Sequence, residues 1–206
     1  MPRVIAITSE KGGVGKSTLA VHLAGAFHER GLHALLIDED GRVGSSLRWA
    51  ERAKERGGLG FPVLTPDDIK PKKLGNLDVL LIDTEGRPKR RELRQLAERA
   101  DVILVPSGPS ALELDATREL LDYLDDETNA ARKLRVVLTR VPPVGRAGEE
   151  AREDLRDGGA TVCNTLVRHY AAYQKAAEAG ALARDIADTK AATAWEDVMS
   201  LSRELV

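Results

Sequence analysis

The sequence predicts a doubly wound α/β domain, a mainly parallel sheet with helices on both faces, and three observations point to it. Short apolar runs recur along the chain and are continuous rather than alternating, as in parallel strands buried on both faces. Longer amphipathic stretches separate them. A glycine-rich turn follows the first run directly and leads into a helical pattern, the arrangement that points backbone N–H groups at an anion.

In chain order, the first run is Val4-Ile5-Ala6-Ile7. After the turn, Leu19, Leu23, Ala26 and Phe27 recur at helical spacing, with Gly31 as the stop. Ala34-Leu35-Leu36-Ile37 is the second run. Phe61-Pro62-Val63-Leu64 is a weaker candidate, and Pro62 suits an edge position. Val79-Leu80-Leu81-Ile82 and Val102-Ile103-Leu104-Val105 follow, with helical spacing of Leu93, Leu96, Ala97 and Ala100 between them. Leu112, Thr117, Leu120, Leu121 and Leu124 predict the next helix, and Val136-Val137-Leu138 the next strand. Thr161-Val162-Cys163 is a second weak strand candidate. Trp195, Val198, Met199, Ser202 and Leu205 predict a last helix. No repeat or low-complexity linker divides residues 1–206, so a single domain is expected. Gly57-Gly58-Leu59-Gly60 and Pro142-Pro143-Val144-Gly145 read as loops within it.

A net charge of −2 over 206 residues excludes a globally basic nucleic-acid binder, so any such contact must come from a local patch. Cys163 is the single cysteine, which rules out an intramolecular disulfide and suits a reducing cytoplasm. The apolar segment after Met1-Pro2-Arg3 is too short for a signal sequence, and no membrane-length apolar run follows. The four histidines form no triad with Cys163 or a serine, and no Cys/His spacing suggests zinc.

The turn reads Glu10-Lys11-Gly12-Gly13-Val14-Gly15-Lys16-Ser17-Thr18. Glycines allow close backbone approach to phosphate and positive φ. Lys16 is expected to reach the β- and γ-phosphates of ATP, Ser17 to give its hydroxyl to Mg²⁺, and Thr18 to lie near the α-phosphate. Glu10 stands where the general pattern has its first glycine. Asp38 and Asp40 end the second run at the expected nucleotide crevice, and Asp83 ends the run at Leu80-Leu81-Ile82 as the carboxylate of a Mg²⁺ shell. Glu85 is a second candidate for positioning water, or a solvated loop acid.

KGGVGKST resembles the deviant Walker A loop of the ParA/MinD family of ATPases, most like the short ParF-type partition proteins. The resemblance covers essentially the whole chain and is strongest up to Asp83. It implies a Mg²⁺-dependent ATPase, an ATP-sandwiched homodimer, non-specific DNA binding, a small ParB-like adaptor, no membrane, and a cytoplasmic, nucleoid-associated site. It assigns Lys11 to the partner subunit's nucleotide, against a simpler role strengthening anion binding within one subunit. It assigns Asp40 to the attacking water and groups Asp38 with Ser17 and Asp83 around the metal, supporting the loop there; the plainer alternative is that Asp38 caps a turn. The family's usual D-x-D-P-Q becomes Asp38-Glu39-Asp40-Gly41-Arg42, which alters the turn. Val105-Pro106-Ser107-Gly108-Pro109-Ser110 resembles another family segment, read as a rigid loop entering a helix. Arg140 falls where the family places base contacts, or is a structural arginine at a strand end.

Two basic segments are candidate DNA surfaces. One runs from Arg87 through Lys89 and Arg90 to Arg94, the other holds Arg168 and Lys175, with Arg184 and Lys190 as looser candidates. Each has the plain alternative of a solvated helix face. Other functions compatible with the loop are a MinD-like spatial regulator, a nucleotide-gated interaction module with little hydrolysis, and a biosynthetic P-loop enzyme. The last lacks cluster-forming cysteines.

Overall fold

The computed structural model describes residues 1–69 and 75–206. Its strands are β1 Arg3–Ile7, β2 Ala34–Asp38, β3 Val63–Leu64, β4 Val79–Asp83, β5 Val102–Ser107, β6 Leu134–Val141 and β7 Val162–Arg168. They form one seven-stranded sheet in the order β3-β2-β4-β1-β5-β6-β7. Every pairing is parallel. The chain leaves β1 in both directions, so the carboxyl ends of β1, β4 and β2 open onto a shared crevice, the expected ligand position in such a sheet.

The helices are α1 Lys16–Glu29, α2 Ser45–Ala53, α3 Arg90–Arg99, α4 Ala111–Thr128, α5 Ala147–Asp157, α6 Ala171–Ala179 and α7 Ala191–Leu205. Strand side chains alternate between two layers. Ile5, Ile7, Leu81 and Leu104 pack under α1, α2, α6 and α7, whereas Ala6, Ile82, Ile103 and Val105 pack under α3 and α4. β6 and β7 contribute Val136, Leu138 and Val162 to a third cluster under α4 and α5. Burial on both faces is why the strands read as unbroken apolar runs.

Several expectations change in detail. Leu112 was expected on the buried stripe of α4 but is 74% exposed, and Leu114 is buried instead. Leu114, Thr117, Leu121 and Leu124 follow the 3.6-residue period, and Leu112 lies about half a turn from that stripe. The segment at Pro106-Ser107, read as loop, is the end of β5. Proline is tolerated there because β1 pairs only as far as Leu104, so that end of β5 has one neighbour. The weak β7 candidate is a seven-residue strand. α2 and α5 were not foreseen, because few apolar side chains mark their buried faces, Trp49 and Ala53 in one and Ala151 and Leu155 in the other; α6 is the helix read as the plain alternative for the segment holding Arg168 and Lys175.

Both sheet edges are blunted. β3 has two residues and follows Pro62, as that proline suggested. On β7 the register slips between Val162 and Leu166, which pair with Val136 and Leu138 of β6. Glu204 of α7 accepts the Asn164 and Thr165 N–H groups at 2.7 Å each. Arg152 donates to the Asn164 carbonyl at 2.6 Å, and Arg156 to the Val162 carbonyl at 2.8 Å.

His22 in the middle of α1 is fully buried. Its Nδ1 faces the Thr18 carbonyl at 2.7 Å, and its Nε2 accepts the Ala183 N–H at 3.0 Å. That pair of partners selects the neutral Nδ1–H tautomer. Trp49 and Tyr173 meet the ring edge-on at 5.4 and 5.0 Å between centroids. Burial pushes its pKa down to about 4.

Candidate nucleotide site

The loop between β1 and α1 has the backbone of an anion cradle. Gly13 and Gly15 have φ of +79° and +91°, and Gly15 caps α1 in the left-handed conformation. A Cβ at Gly12, Gly13 or Gly15 would meet no protein atom within 4 Å. The space beside them is therefore open to a ligand rather than filled by the fold. Glu10 lies outside the left-handed region, so replacing glycine there carries no backbone strain.

Lys16, the first residue of α1, is 8% exposed. Its ammonium donates to the Ser9 hydroxyl at 3.1 Å, and Ser9 in turn donates to the Lys11 carbonyl at 2.8 Å. Burial lowers its pKa, opposed by the charges of Asp83 and Asp40. A buried ammonium with one hydroxyl partner is poised to receive an anion. Lys11 is half-buried and hydrogen-bonded to the Leu112 carbonyl in the first turn of α4. Ser17 and Thr18 occupy the first turn of α1 beside it.

Asp38 and Asp83 stand side by side at the ends of β2 and β4. Both oxygens of Asp38 accept backbone N–H groups, from Asp40 and Leu47, at 3.0 Å each. Asp38 therefore shapes the turn. Asp40 Oδ1 likewise accepts the N–H groups of Arg42 and Val43, at 3.1 and 2.9 Å. Gly41 donates its own N–H to the Glu39 carbonyl at 3.0 Å, a bond that proline at this position would delete. The Gly41-Arg42 replacement thus gives a differently pinned turn. The Thr84 hydroxyl of the second loop donates to the Ile7 carbonyl at 3.0 Å.

Asp83 differs. Ser46 donates to its Oδ2 at 2.8 Å, but the buried Oδ1 has no partner, and neither does the buried Thr8 hydroxyl one position beyond β1. The Ser17 hydroxyl is close enough to Asp83 to oppose the effect of burial, yet burial dominates and raises the carboxyl to about 6. Unsatisfied buried oxygens beside a second hydroxyl, all hard donors, fit a magnesium ion. Among the described residues no cluster of three or more His, Cys, Asp or Glu side chains could hold a metal alone.

A cavity of about 360 Å³ adjoins the cradle, reached past Gly13, Gly15 and Thr18 and walled by Arg140, Tyr170 and His22. Arg140 sits at its mouth with φ of +53°, and its guanidinium pairs with Glu113. One hydroxyl outside the quoted motifs ties this side to the loop, and another braces the end of β5. Thr139 donates to the Val14 carbonyl at 2.9 Å, and Thr117 to the Ser107 hydroxyl at 2.8 Å. Their signal was available, since both Ser107 and Thr139 lie at carboxyl ends of strands.

The basic candidates separate into two groups. Arg168 is clamped by Asp197, its Nε 3.0 Å from Oδ2. Lys175 pairs with Asp188 at 2.7 Å, and Arg184 with Glu29 while lying 4.9 Å over the Trp195 ring. Lys89 caps α3, its N–H bound to Glu92 at 2.6 Å, and Arg90 lies 4.5 Å over the Tyr123 ring.

A parallel sheet with a lysine-bearing glycine cradle after its central strand and a buried aspartate at the neighbouring strand end defines a P-loop nucleotide-binding protein. Comparison with known proteins sharpens this. The chain belongs to the CbiA family, the CobQ/CobB/MinD/ParA nucleotide-binding domain, whose family model matches residues 5–182. It is 32% identical over 185 residues to maintenance of carboxysome distribution protein A of Gloeobacter kilaueensis, covering 87% of this chain and 82% of that one. It is 30% identical over 153 residues to protein ParA of Rhizobium radiobacter, covering 71% and 68%. The MinD cell division protein of Aquifex aeolicus has the same fold, with a TM-score of 0.75 at 21% identity over 98% of this chain and 96% of that one.

Proposed function

We propose that this chain is a Mg²⁺-dependent ATPase whose ATP-bound form is a homodimer that binds DNA without reading sequence and distributes a cargo through a small adaptor. The observation that carries the reading is the juxtaposition of buried Lys16, short of anionic partners, with Asp83, short of a cation. MgATP supplies both missing charges. The loop amides and Lys16 hold the phosphates, Ser17 and Asp83 hold the ion, and Asp38 keeps its turn in register. Asp40, within electrostatic reach of Lys16, positions the attacking water. Lys11 leaves the Leu112 carbonyl and extends to the nucleotide of a second copy, so that the dimer depends on the γ-phosphate. Arg140 contacts the base side of the cavity.

The cargo has two candidate classes, a DNA locus or a protein-built body. The similarity to carboxysome distribution protein A spans more of this chain than the similarity to ParA and supports the second. A membrane-docked, MinD-like role has less support. The one cation in the last turn of α7, Arg203, pairs with Glu196 at 3.1 Å, and no helix among the described residues is long and apolar enough to cross a membrane. Sedimentation with MgATP against MgADP, with phosphate release measured in parallel, tests the reading. Dimers and slow phosphate release with ATP alone are expected. Equal association in both nucleotides would overturn the gating, and dimers without phosphate release, even with DNA and adaptor, would leave a nucleotide-gated interaction module.

A further inference from the structure

We propose that DNA phosphates are gripped by a cationic rim formed by Arg87, Lys89 and Arg91 with Arg42, and not by the C-terminal cations Arg168, Lys175 and Arg184. This rests on the DNA-binding reading above and locates its surface.

Availability is the first argument. The Asp197 side chain that holds Arg168 is 6% exposed, and the Asp188 side chain that holds Lys175 is 10% exposed. Drawing Arg168 away to a phosphate would leave the buried Asp197 carboxylate without its counter-charge, a cost that offsets the new contact, and moving Lys175 would give up its pair with Asp188. Arg184 pairs with the partly exposed Glu29 and lies over the Trp195 ring, which leaves Lys190 as the one C-terminal candidate that is exposed without an ion pair among the described residues, a lone cation against four at the rim. Arg42, Arg87, Lys89 and Arg91 are exposed and form no ion pair among the described residues. Later cations of the same run are taken up, Arg94 by Glu127 at 3.7 Å and Arg99 by Glu39 at 2.8 Å.

Placement is the second. Residues 87–91 carry four cations and no carboxylate, on a chain with net charge −2. Arg87 has φ +74°, uncommon for a non-glycine residue, and so turns the chain sharply just before α3. The neighbouring α4 carries seven carboxylates against one cation, so a polyanion is repelled from α4 and favoured at the rim.

Connection to the nucleotide is the third. The rim loops spring from Asp38 and Asp83, and the Glu39 N–H bonds the Asp83 carbonyl at 2.9 Å. Ser46 at the start of α2 holds the Asp83 carboxylate itself. An ion at Asp83 therefore acts on the roots of both cationic loops.

The test is fluorescence anisotropy of the full chain on a random-sequence duplex with MgATP across a salt series, comparing wild type, the triple variant Arg87→Gln/Lys89→Gln/Arg91→Gln, and Lys175→Gln. The triple variant should bind at least about tenfold more weakly, with the slope of log affinity against log salt reduced by about 0.9 for each phosphate no longer neutralised. It should keep ATP-dependent dimerisation by light scattering, and Lys175→Gln should match wild type. Unchanged affinity and slope in the triple variant overturn the rim alone, and failure of that variant to dimerise overturns it by making the rim a subunit interface. An equal weakening in Lys175→Gln returns the surface to the C-terminal cations. No wild-type binding in any nucleotide overturns the DNA reading, and the rim with it.

Discussion

Two buried polar centres lie along the path from β4 through α1, and they are built in opposite ways. Around His22 every valence is closed: one ring nitrogen on the Thr18 carbonyl, the other on the Ala183 N–H, aromatic edges around the ring. Around Asp83 one carboxylate oxygen and the Thr8 hydroxyl are left open, and the nearby ammonium of Lys16 has a single neutral partner. A structural polar centre satisfies itself, because an unmet buried group costs about 1–3 kcal/mol. A binding centre keeps its deficit until a ligand of the right charge arrives. The same loop-to-helix unit contains both, so the difference separates holding α1 in place from using its end.

The largest expected effect that could break this contrast is at Lys16. Lys16→Ala should lower ATP affinity by about 100-fold or more, through removal of a charge-assisted interaction in a buried site. Titration calorimetry showing unchanged affinity would remove the cradle from the reading.

His22→Ala and Asp83→Asn should then move stability in opposite directions. His22→Ala should cost about 3 kcal/mol, through a cavity and the stranded Ala183 N–H, measured by denaturant unfolding. Asp83→Asn should stabilise the ligand-free protein at neutral pH by on the order of 3 kcal/mol, because a carboxyl held near 6 rather than 3.8 opposes folding once ionised. The same variant should lose magnesium-dependent tightening of nucleotide binding. An Asp83→Asn protein less stable than wild type would show that Asp83 is structural.

The pH dependence sharpens the pair. His22 is depressed from 6.5 to about 4, so its contribution is present above 6.5 and lost as pH falls through 4. Asp83 is raised, so its contribution is present below 3.8 and lost as pH rises through 6. Between about pH 4 and 6 the two slopes oppose. Wild-type stability should therefore vary less over that window than that of Asp83→Asn, in which the His22 rise is uncompensated. Thr139→Val should be smallest, about 1 kcal/mol from removing the bond to the Val14 carbonyl, read as a lower unfolding midpoint.

How much of this was legible in the sequence follows from what each segment buries. The central strands and the cradle could be read because double-sided burial makes continuous runs and because Gly13 and Gly15 need positive φ. Pro62 correctly marked an edge. α5 was hidden by its composition, with Leu155 and Ala151 as its main apolar side chains. Leu112 was misplaced because an apolar residue in a first turn carries no information on which way that turn faces. Roles that depend on distant partners were beyond reach. Asp38 and Asp83 share one motif type, and only the neighbours Leu47 and Ser46 distinguish a turn brace from a carboxylate with one oxygen unpaired. The pairing of Arg168 with Asp197 joins residues 29 positions apart.

The stoppered border of β7 has a consequence for assembly. With Glu204, Arg152 and Arg156 occupying the ladder positions that another copy would need, the sheet cannot be continued from molecule to molecule. Any contact between copies is thereby steered away from a permanent, backbone-zipped polymer along this edge.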